Sequence, residues 1–350
     1  MLPRVDTSSG AGRARRRAAT MGDVASLAGV SQQTVSRVVN AREYVGGDTR
    51  ERVLMAMREL NYRPNRAAQA LVTGRSKTLG VMSIDSVAFG PVSVLRGLER
   101  AAHAQGYFVS VARLGSLDRG SVFQALERLQ RQGVEGILLN AGQDGITREL
   151  DHRLIDVPLV AVEDTPEAKV PVVAVDQVAG AATATRLLLD LGHRNVSHIA
   201  GPSDWSAARR RIEGWRAALE SAEVAAAPPL SGDWSVRSGY ALGRLLAQDR
   251  DVTAIFAAND EMALGAMRAM FEAGRDVPRD VSIVGFDDVP FARFLTPPLT
   301  TVRQDFEEMG RRSVDMLVEA IRGVDDTPAR AAITLELVVR DSTAPAVIRA

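Results

Sequence analysis

Short apolar, β-rich runs that alternate with helical stretches constrain the fold of this chain more than any other feature. From Leu79 onward the runs are LGVMSI, YFVSVA, EGILLN, PLVAV, VVAV, VSHIA, AIFAA and VSIVGF. Helical patterns, such as those over 92–105 and 177–191, separate most of them. This alternation predicts an α/β fold of doubly wound parallel sheets in two lobes, with a ligand site at the carboxyl ends of the strands.

The charge is distributed unevenly, although 43 basic side chains balance 43 acidic ones. Residues 1–78 carry 14 Arg or Lys against 6 Asp or Glu, which leaves 29 against 37 in the remainder. A strongly basic N-terminal region followed by an acidic remainder indicates that the N-terminal region contacts nucleic acid. A basic tail that only aids solubility is the alternative.

Composition excludes several classes of protein. The chain has no cysteine, which rules out a disulfide framework, thiolate catalysis, a zinc finger and iron–sulfur ligation. No apolar run approaches the roughly 18 residues of a membrane-spanning helix. Because no apolar segment separates the first basic residues from Met21, we expect no secretory signal and a cytoplasmic location.

Residues 20–64 have the pattern of an all-α helix-turn-helix headpiece that follows a disordered basic tail over 1–19. Thr20 can cap a first short helix, Ala28-Gly29-Val30 forms the turn, and Ser31 can cap a second helix from Gln32 to Val39. The side chains on the outer face of the second helix are Gln32, Gln33, Ser36 and Arg37. Gln pairs with adenine edges and Arg with guanine edges in the major groove, although both are also common on solvated helix faces.

A third helix is predicted from an acid-first capping box at Asp48–Glu51 and ends before Pro64. Its expected apolar face consists of Val53, Leu54, Met57 and Leu60. The hinge at 65–78 then begins with a run of helix formers from Asn65 to Leu71. Because a helix of about two turns is marginal in water, we expect it to form only when packed against a twin and DNA. Leu71 is the candidate apolar wedge in the minor groove, although an incidental Leu in a linker is the alternative.

Polar side chains follow several of the predicted strands. Asn140, Glu163, Asn259-Asp260 and Asp287-Asp288 stand just past strand ends, with Arg211 on a helix and Trp234 in a loop. Planar amide, carboxylate and guanidinium groups beside one indole face suit a sugar, whose paired hydroxyls accept bidentate hydrogen bonds. Each residue also has a simpler interpretation, such as a helix cap for Asn259-Asp260 or a surface position for Arg211.

The motifs resemble the LacI/GalR family of bacterial repressors over about residues 20–342. The headpiece match runs through GDVASLAGVSQQTVSRVVN and TRERVLMAMRELNYRPNRAAQAL, and the core match through AGP, GDWS, ANDEMALGAMRAM, VGFDD and PPLTTVRQDF. The resemblance implies that DNA is contacted by Thr20, Ser31, Gln32, Gln33, Thr34, Ser36, Arg37, Asn40, Tyr62, Asn65 and Leu71. It implies polar effector contacts from Asn140, Glu163, Arg211, Trp234, Asn259, Asp287 and Gln304, and apolar ones from Pro91, Val94, Phe306 and Met309.

The effector expected from this resemblance is a small sugar, with a galactoside as the first candidate and another sugar or a corepressor as the alternative. One helix-turn-helix reads only a half-site, so we expect a homodimer on pseudo-palindromic operator DNA. The last residues, RDSTAPAVIRA, show no leucine heptads, and we therefore expect no tetramer formed through such a helix. The expected core, 79–342, divides into 79–175 with 304–334 and 176–303 with 335–342, followed by a tail at 343–350.

An enzyme on a doubly wound fold is the rival interpretation. The chain has no GxSxG, no GxxxxGK[ST] and no GxGxxG after a strand, and its four His show no HExxH spacing. Asp287-Asp288 could form an acid–base pair, but no nucleophile accompanies it. We therefore expect no catalysis, cofactor or metal. An architectural DNA-binding protein is a third interpretation, but it would leave the large core without a purpose.

Overall fold

The computed structural model describes residues 19–40, 45–64, 66–116, 118–140, 142, 155–162, 170–324 and 330–347. The chain divides into two compact units, one up to Ser76 and one from Lys77 onward. The predicted basic tail, apart from residue 19, lies outside the described residues, as do Asn65, Glu163 and the last three positions. The side chain of Asn40 also lies outside them.

Three helices build the first unit: α1 (Met21–Ala28), α2 (Gln32–Asn40) and α3 (Gly47–Glu59). Thr20 caps α1, because its hydroxyl accepts from the Asp23 N–H while the Asp23 carboxylate accepts from the Thr20 N–H. Gly29 ends α1 in the left-handed region at φ 64°. The two helices and the turn therefore form as the sequence predicts.

The third helix differs from its prediction in two respects. It begins at Gly47 with Gly46 as N-cap and no side-chain capping bond, so the predicted capping box at Asp48 is wrong. Val53 and Ala56 face the headpiece core, whereas Leu54, one residue and about 100° around the helix from Val53, is exposed. The predicted apolar face, which included Leu54, is therefore wider than the face that is buried.

The hinge segment forms α4 (Arg66–Thr73). Gly74 follows at φ 68°, and its N–H donates to the Ala70 carbonyl at 2.8 Å. Leu71 is 87% exposed, so its isobutyl group contributes nothing to a core within this unit.

The second unit contains two six-stranded sheets. The first has the order β11 (Arg330–Ile333), β5 (Val172–Val175), β4 (Leu159–Val162), β3 (Gly136–Asn140), β1 (Thr78–Ile84), β2 (Phe108–Leu114), and all its pairs are parallel. The helices α5 (Phe89–Ala104), α6 (Arg119–Arg131) and α11 (Phe306–Ile321) pack against it. We call this assembly the first lobe.

The second sheet has the order β12 (Leu335–Val338), β10 (Thr300–Gln304), β9 (Ser282–Asp287), β8 (Ala254–Ala257), β6 (Val196–Ala200), β7 (Leu230–Ser231). Only β12 runs antiparallel to its neighbour. With the helices α7 (Gln177–Asp190), α8 (Ser206–Ser221), α9 (Val236–Gln248) and α10 (Asp260–Glu272) it forms the second lobe.

The chain passes between the lobes at three short connections in the described residues: after β5, after β10 and between β11 and β12. All eight predicted strands are present, and β7, β10, β11 and β12 were not predicted as strands. Short edge strands such as β7 and β11 bury too few residues to show a run of apolar side chains.

Buried aliphatic side chains fill both faces of each sheet. In the first lobe α5 and α11 cross at Gly97 and Gly310, where a Cβ on either residue would clash with the backbone of the other helix. No helix among the described residues is long and apolar enough to cross a membrane.

Candidate functional sites: a helix-turn-helix face and an interlobe cleft

Helix α2 presents a polar face to solvent. Val35 and Val38 point into the headpiece core, and Gln32, Gln33 and Arg37 are exposed on the opposite side. Ser31 stands at the start of the helix, where its hydroxyl accepts from the Thr34 N–H at 3.1 Å. We call the surface of Gln32, Gln33, Ser36 and Arg37 the reading face; Ser36 is half-buried there.

Two neighbours shape the reading face. The amide nitrogen of Gln32 lies so close to the start of α1 that a Cβ added to Gly22 would sit 2.7 Å from it. Tyr62 packs against the headpiece core, and its N–H donates to the Met57 carbonyl at 2.8 Å. The first turn of α2 thus lies against the start of α1, and the residues after α3 pack against the same headpiece core.

In the second unit a cleft with about 390 Å³ of empty space, including its open mouth, lies between the lobes. The residues that line it are Ala88, Phe89, Gly90, Pro91, Trp205, Ala207, Arg211, Trp234, Asn259, Asp287 and Gln304. Six of these are among the eleven predicted effector contacts. The carboxyl ends of β9 and β10 supply Asp287 and Gln304, as expected for parallel strands.

Arg211 is the centre of the polar part of the cleft. Its Nε donates to Gln177 Oε1 at 2.8 Å and its Nη1 donates to the Ala258 carbonyl. Its Nη2 lies 3.5 Å from Asp287 Oδ1, and its guanidinium lies 3.8 Å from the ring centroid of Phe286. Because Arg211 and Asp287 are both almost fully buried, the ion pair is shielded from water and fixed in position.

Four side chains close this arrangement into a ring. Gln304 Nε2 donates to Asp287 Oδ1 at 2.6 Å, and Gln177 Nε2 donates to Gln304 Oε1 at 3.1 Å. With the two Arg211 contacts this gives the cycle Arg211–Gln177–Gln304–Asp287, which we call the polar ring. Such a network holds planar donors and acceptors in fixed directions before any ligand arrives.

Three acidic groups near the cleft hold protons more tightly than usual. Burial raises the pKa of Asp287 to about 6, although Arg211 and Gln304 oppose the change. Burial, and then the charge of Asp287, raises the pKa of Glu261 to about 7, although the backbone N–H of Phe89 lowers it. Burial and Asp287 also raise the pKa of Asp260 well above its usual value, while its carboxylate accepts from the Thr301 hydroxyl at 2.6 Å and the Val289 N–H at 2.8 Å.

Asn259 has the capping role that the sequence left open, and it also lines the cleft. Its Oδ1 caps α10 by accepting from the Met262 N–H at 2.9 Å. Its Nδ2 donates to the Trp234 carbonyl at 3.0 Å and to Glu261 Oε2 at 2.9 Å. A ligand acceptor that bonds to this Nδ2 must therefore replace one of its two contacts.

Asp288 differs from its neighbour Asp287. Burial alone would raise its pKa, but hydrogen bonds from Arg340 at 2.6 Å and Arg303 at 2.7 Å, together with their charges, outweigh burial and lower it. Asp288 is thus held by two arginines and does not line the cleft, so it does not form an acid–base pair there. Among the residues that the structure describes, no group of three His, Asp or Glu side chains could hold a metal ion.

Two family models match this chain. The model for bacterial regulatory proteins of the lacI family matches residues 20–65, and the model for a periplasmic binding protein-like domain matches residues 185–343. The HTH-type transcriptional repressor PurR of Haemophilus influenzae (strain PittEE) is 36% identical over 333 residues, which cover 93% of this chain and 98% of that relative. The chain belongs to the LacI family.

Other LacI-family repressors are similar over most of this chain. The ribose operon repressor of Escherichia coli (strain K12) is 34% identical over 308 residues, covering 87% of this chain and 93% of its own. The lactose operon repressor of the same strain is 35% identical over 308 residues, covering 87% of this chain and 85% of its own.

A solved structure is also similar. The crystal structure of the Lac repressor dimer bound to operator and the anti-inducer ONPF has a TM-score of 0.84 at 34% identity, covering 94% of this chain and all of that one. This LacI-family protein is a DNA-binding transcriptional repressor with a ligand-binding core, and it is not an enzyme.

Five of the predicted effector contacts of this LacI-family protein do not line the cleft or lie outside the described residues. Asn140 lies behind Pro91, where its Nδ2 donates to the Pro91 carbonyl at 3.1 Å. Val94 and Met309 are fully buried in the core of the first lobe, as Phe306 is almost completely. The fifth predicted contact, Glu163, lies outside the described residues.

Sequence reasoning missed one residue that lines the cleft, Trp205, and two that bond to its lining, Gln177 to Arg211 and Glu261 to Asn259. Gln177 opens α7 and looked like an ordinary helix former, and Glu261 sits in the first turn of α10, where acidic residues are common. Trp205 precedes α8 and carries no local signal except its size. All three lie in the second lobe, and the fold of that lobe brings them to the cleft or its lining residues.

Proposed function

We propose that this protein represses transcription by binding pseudo-palindromic operator DNA as a homodimer, and that a small sugar in the interlobe cleft controls its operator affinity. A galactoside is the first candidate for that sugar. The polar ring beside Trp234, in a chain that also carries a helix-turn-helix, is the observation that carries the proposal.

The DNA part of the proposal rests on the reading face. Arg37 offers a bidentate donor for guanine, and the amides of Gln32 and Gln33 suit adenine. Thr20, Ser31, Thr34, Asn40, Tyr62 and Asn65 would hold the phosphate backbone, and the exposed Leu71 would insert into the minor groove. One headpiece reads a half-site, so two chains are needed for a full operator, as in the solved Lac repressor dimer.

The sugar part of the proposal rests on the chemistry of the cleft. Arg211 and Asp287 present a donor and an acceptor side by side, which matches a pair of neighbouring sugar hydroxyls. Trp234 supplies an aromatic wall for the C–H face of the sugar ring. The names of the ribose and lactose operon repressors also favour a sugar. Because the chain is also similar to PurR, a corepressor such as a purine base is the alternative to be tested.

The proposed mechanism is linkage between the cleft and the hinge. Phe89 and Pro91 belong to the first lobe and Arg211 and Asp287 to the second, so a bound ligand stabilises one angle between the lobes. Three short connections let that angle change without unfolding either sheet. If the favoured angle separates paired hinges, α4 loses its partner and melts, and DNA binding weakens. Operator binding must then weaken effector binding by the same factor.

The test is fluorescence anisotropy at stated salt, on DNA from upstream of the protein's own gene. Galactosides, ribose, other sugars and purine bases are added in turn. We expect tight operator binding that one sugar releases. Tight binding that no sugar changes, or that a purine base strengthens, contradicts the proposed sugar control but leaves the DNA proposal intact.

Two variants separate the two sites. Arg211→Met is expected to keep operator affinity and lose the sugar response, because Arg211 belongs to the cleft and not to the reading face. Arg37→Ala is expected to lose operator affinity and keep sugar binding measured by calorimetry. Loss of both properties in either variant would contradict the assignment of separate sites.

A further inference from the structure

The first turn of α1 contains a glycine that the backbone does not require. Gly22 is the second residue of this helix, and its φ is not among the positive values found at other glycines of the chain. Glycine inside a helix is less favourable than alanine, because it loses more conformational freedom on folding. Any residue could therefore adopt the backbone conformation at this position, and most would favour the helix more.

The space beside Gly22 is occupied by the carboxamide of Gln32. A Cβ added to Gly22 would lie 2.7 Å from Gln32 Nε2, 3.7 Å from Gln32 Cδ and 3.6 Å from the Thr20 hydroxyl oxygen. These three nearest atoms outside the local backbone all belong to side chains. A side chain at position 22 would therefore displace the Gln32 carboxamide and leave the backbones of the two helices in place.

Both helices are held firmly where they meet. The Thr20 hydroxyl donates to Asp23 Oδ2 at 2.8 Å and accepts from the Asp23 N–H at 3.3 Å, which fixes the start of α1. Gln32 is the first residue of α2 and follows Ser31, whose hydroxyl accepts from the Thr34 N–H at 3.1 Å. Because the backbone of Gln32 is fixed in this way, its side-chain torsions determine where the carboxamide points.

The other described glycines of the headpiece lack this arrangement. Gly29 is in the left-handed region at φ 64°, as the turn after α1 requires. Gly46 and Gly47 have no atom within 4 Å of an added Cβ. Among the described headpiece glycines, Gly22 is thus the one whose missing side chain makes room for a residue of the reading face.

We propose that Gly22 determines DNA specificity through Gln32. The missing Cβ lets the Gln32 carboxamide lie over the start of α1, and this direction decides which base the carboxamide selects. The inference rests on the base reading proposed above for the reading face, and it specifies what directs one of the side chains of that face. Gly22 acts through Gln32 and is therefore a positioning residue.

The size of the effect follows from the distances. The 2.7 Å separation is about 1 Å shorter than an ordinary non-bonded contact of roughly 3.5–4.0 Å, so a Cβ must move the carboxamide by about that much. A bidentate pair with an adenine edge needs donor–acceptor distances of about 2.7–3.2 Å, and a displacement of this size breaks at least one of its bonds. The preference for the base that Gln32 selects should therefore fall by about tenfold.

The experiment selects DNA duplexes from a library of two inverted, randomised half-sites, with the full-length protein at one stated salt concentration. Sequencing of the selected duplexes gives the base preference at each position. Comparison of the wild type with Gln32→Ala identifies the base pair that depends on Gln32. At that base pair we expect Gly22→Ala to lose about tenfold of the preference, measured by fluorescence anisotropy on single duplexes. The preferences that depend on Gln33 and Arg37 should remain.

Two controls separate positioning from a structural effect. Gly47→Ala makes the same substitution in the first turn of α3, where a Cβ meets nothing, and should leave every base preference unchanged. The double variant Gly22→Ala/Gln32→Ala should lose no more preference than Gln32→Ala alone. A thermal melt checks folding, and Gly22→Ser, which also adds a Cβ, decides the question if Gly22→Ala does not fold.

Three results would overturn the inference while base reading by Gln32 stands. Gly22→Ala could keep the preference that depends on Gln32, or it could weaken binding to all duplexes by the same factor, which a purely structural role predicts. Its loss of preference could also appear in full when Gln32 is already replaced by alanine. If the wild type selects no sequence, or Gln32→Ala changes no preference, the proposed base reading by Gln32 fails and the role of Gly22 fails with it.

Discussion

The protonation of Asp287 makes a quantitative prediction about stability. Its folded pKa is about 6, against 3.8 for an unburied Asp, and the carboxyl is almost fully buried. A rise of about two pKa units in such a group corresponds to roughly 3 kcal/mol. The folded protein binds this proton more tightly than the unfolded chain does. The stabilisation that comes from this proton is therefore present in full at low pH and is lost as the pH rises from about 4 to 6. Above that pH it is absent, and the stability no longer depends on this group.

The perturbation is Asp287→Asn, which keeps the shape of the side chain and removes the titration. Between pH 4.5 and 7.5 the free energy of unfolding of the wild type, relative to the variant, should fall by about 2 kcal/mol, since about 1 kcal/mol is already lost at pH 4.5. Asp260 and Glu261 add to the fall, because their pKa values are also raised in part by the charge of Asp287.

The assay is urea denaturation at four pH values, monitored by tryptophan fluorescence. Trp215 is fully buried in the second lobe, where its Nε1 donates to the Val196 carbonyl, and it reports on that lobe. Asp190→Asn, an exposed carboxylate at the end of α7, is the control and should run parallel to the wild type. If the Asp287→Asn curve also runs parallel to the wild type, the burial argument is refuted.

Three further predictions concern the reading face, the helix caps and the lobe packing. Arg37→Ala should weaken binding to the preferred operator by about 10- to 100-fold and relax the base preference at one position, and equal losses across operator variants would contradict direct readout. Thr20→Ala should lower headpiece stability by about 1 kcal/mol through loss of the α1 capping box, whereas Asp48→Ala should cost less in the same thermal melt, because no side chain caps α3. Gly97→Ala should destabilise the core by about 1–3 kcal/mol in urea, because its Cβ would clash with the backbone of α11. Gly90→Ala in the same helix, where a Cβ meets nothing, should be neutral or stabilising, and a similar loss in both would show that the clash is not the cause.

Several features of this protein follow from local sequence patterns. The eight predicted strands, the two helices of the helix-turn-helix and the cap at Thr20 all form as predicted. Each depends on residues within a few positions of one another, through a period of two or 3.6 residues or a single capping bond. The family follows from motifs that keep this local order along most of the chain.

Two predictions about α3 that rested on local sequence patterns were wrong. Asp48 has the right spacing for a cap, but α3 begins at Gly47, so Asp48 lies inside its first turn, and Leu54 is exposed although it is apolar. The packing of Val53 and Ala56 against the first two helices determines which side of α3 faces inward.

The tertiary structure decided the composition of the cleft. Arg211, Asp287 and Gln304 were recognisable as candidates because polar groups at strand ends and helix starts are few. Trp205, which lines the cleft, and Gln177, which bonds to Arg211, were not recognisable, while Val94 and Met309, which were expected in the cleft, lie in the core. A hydrophobic pattern states which residues are buried, but not whether they face a core or a ligand. That choice depends on the tertiary fold, which within the second lobe brings residues 34 and 127 positions apart into contact.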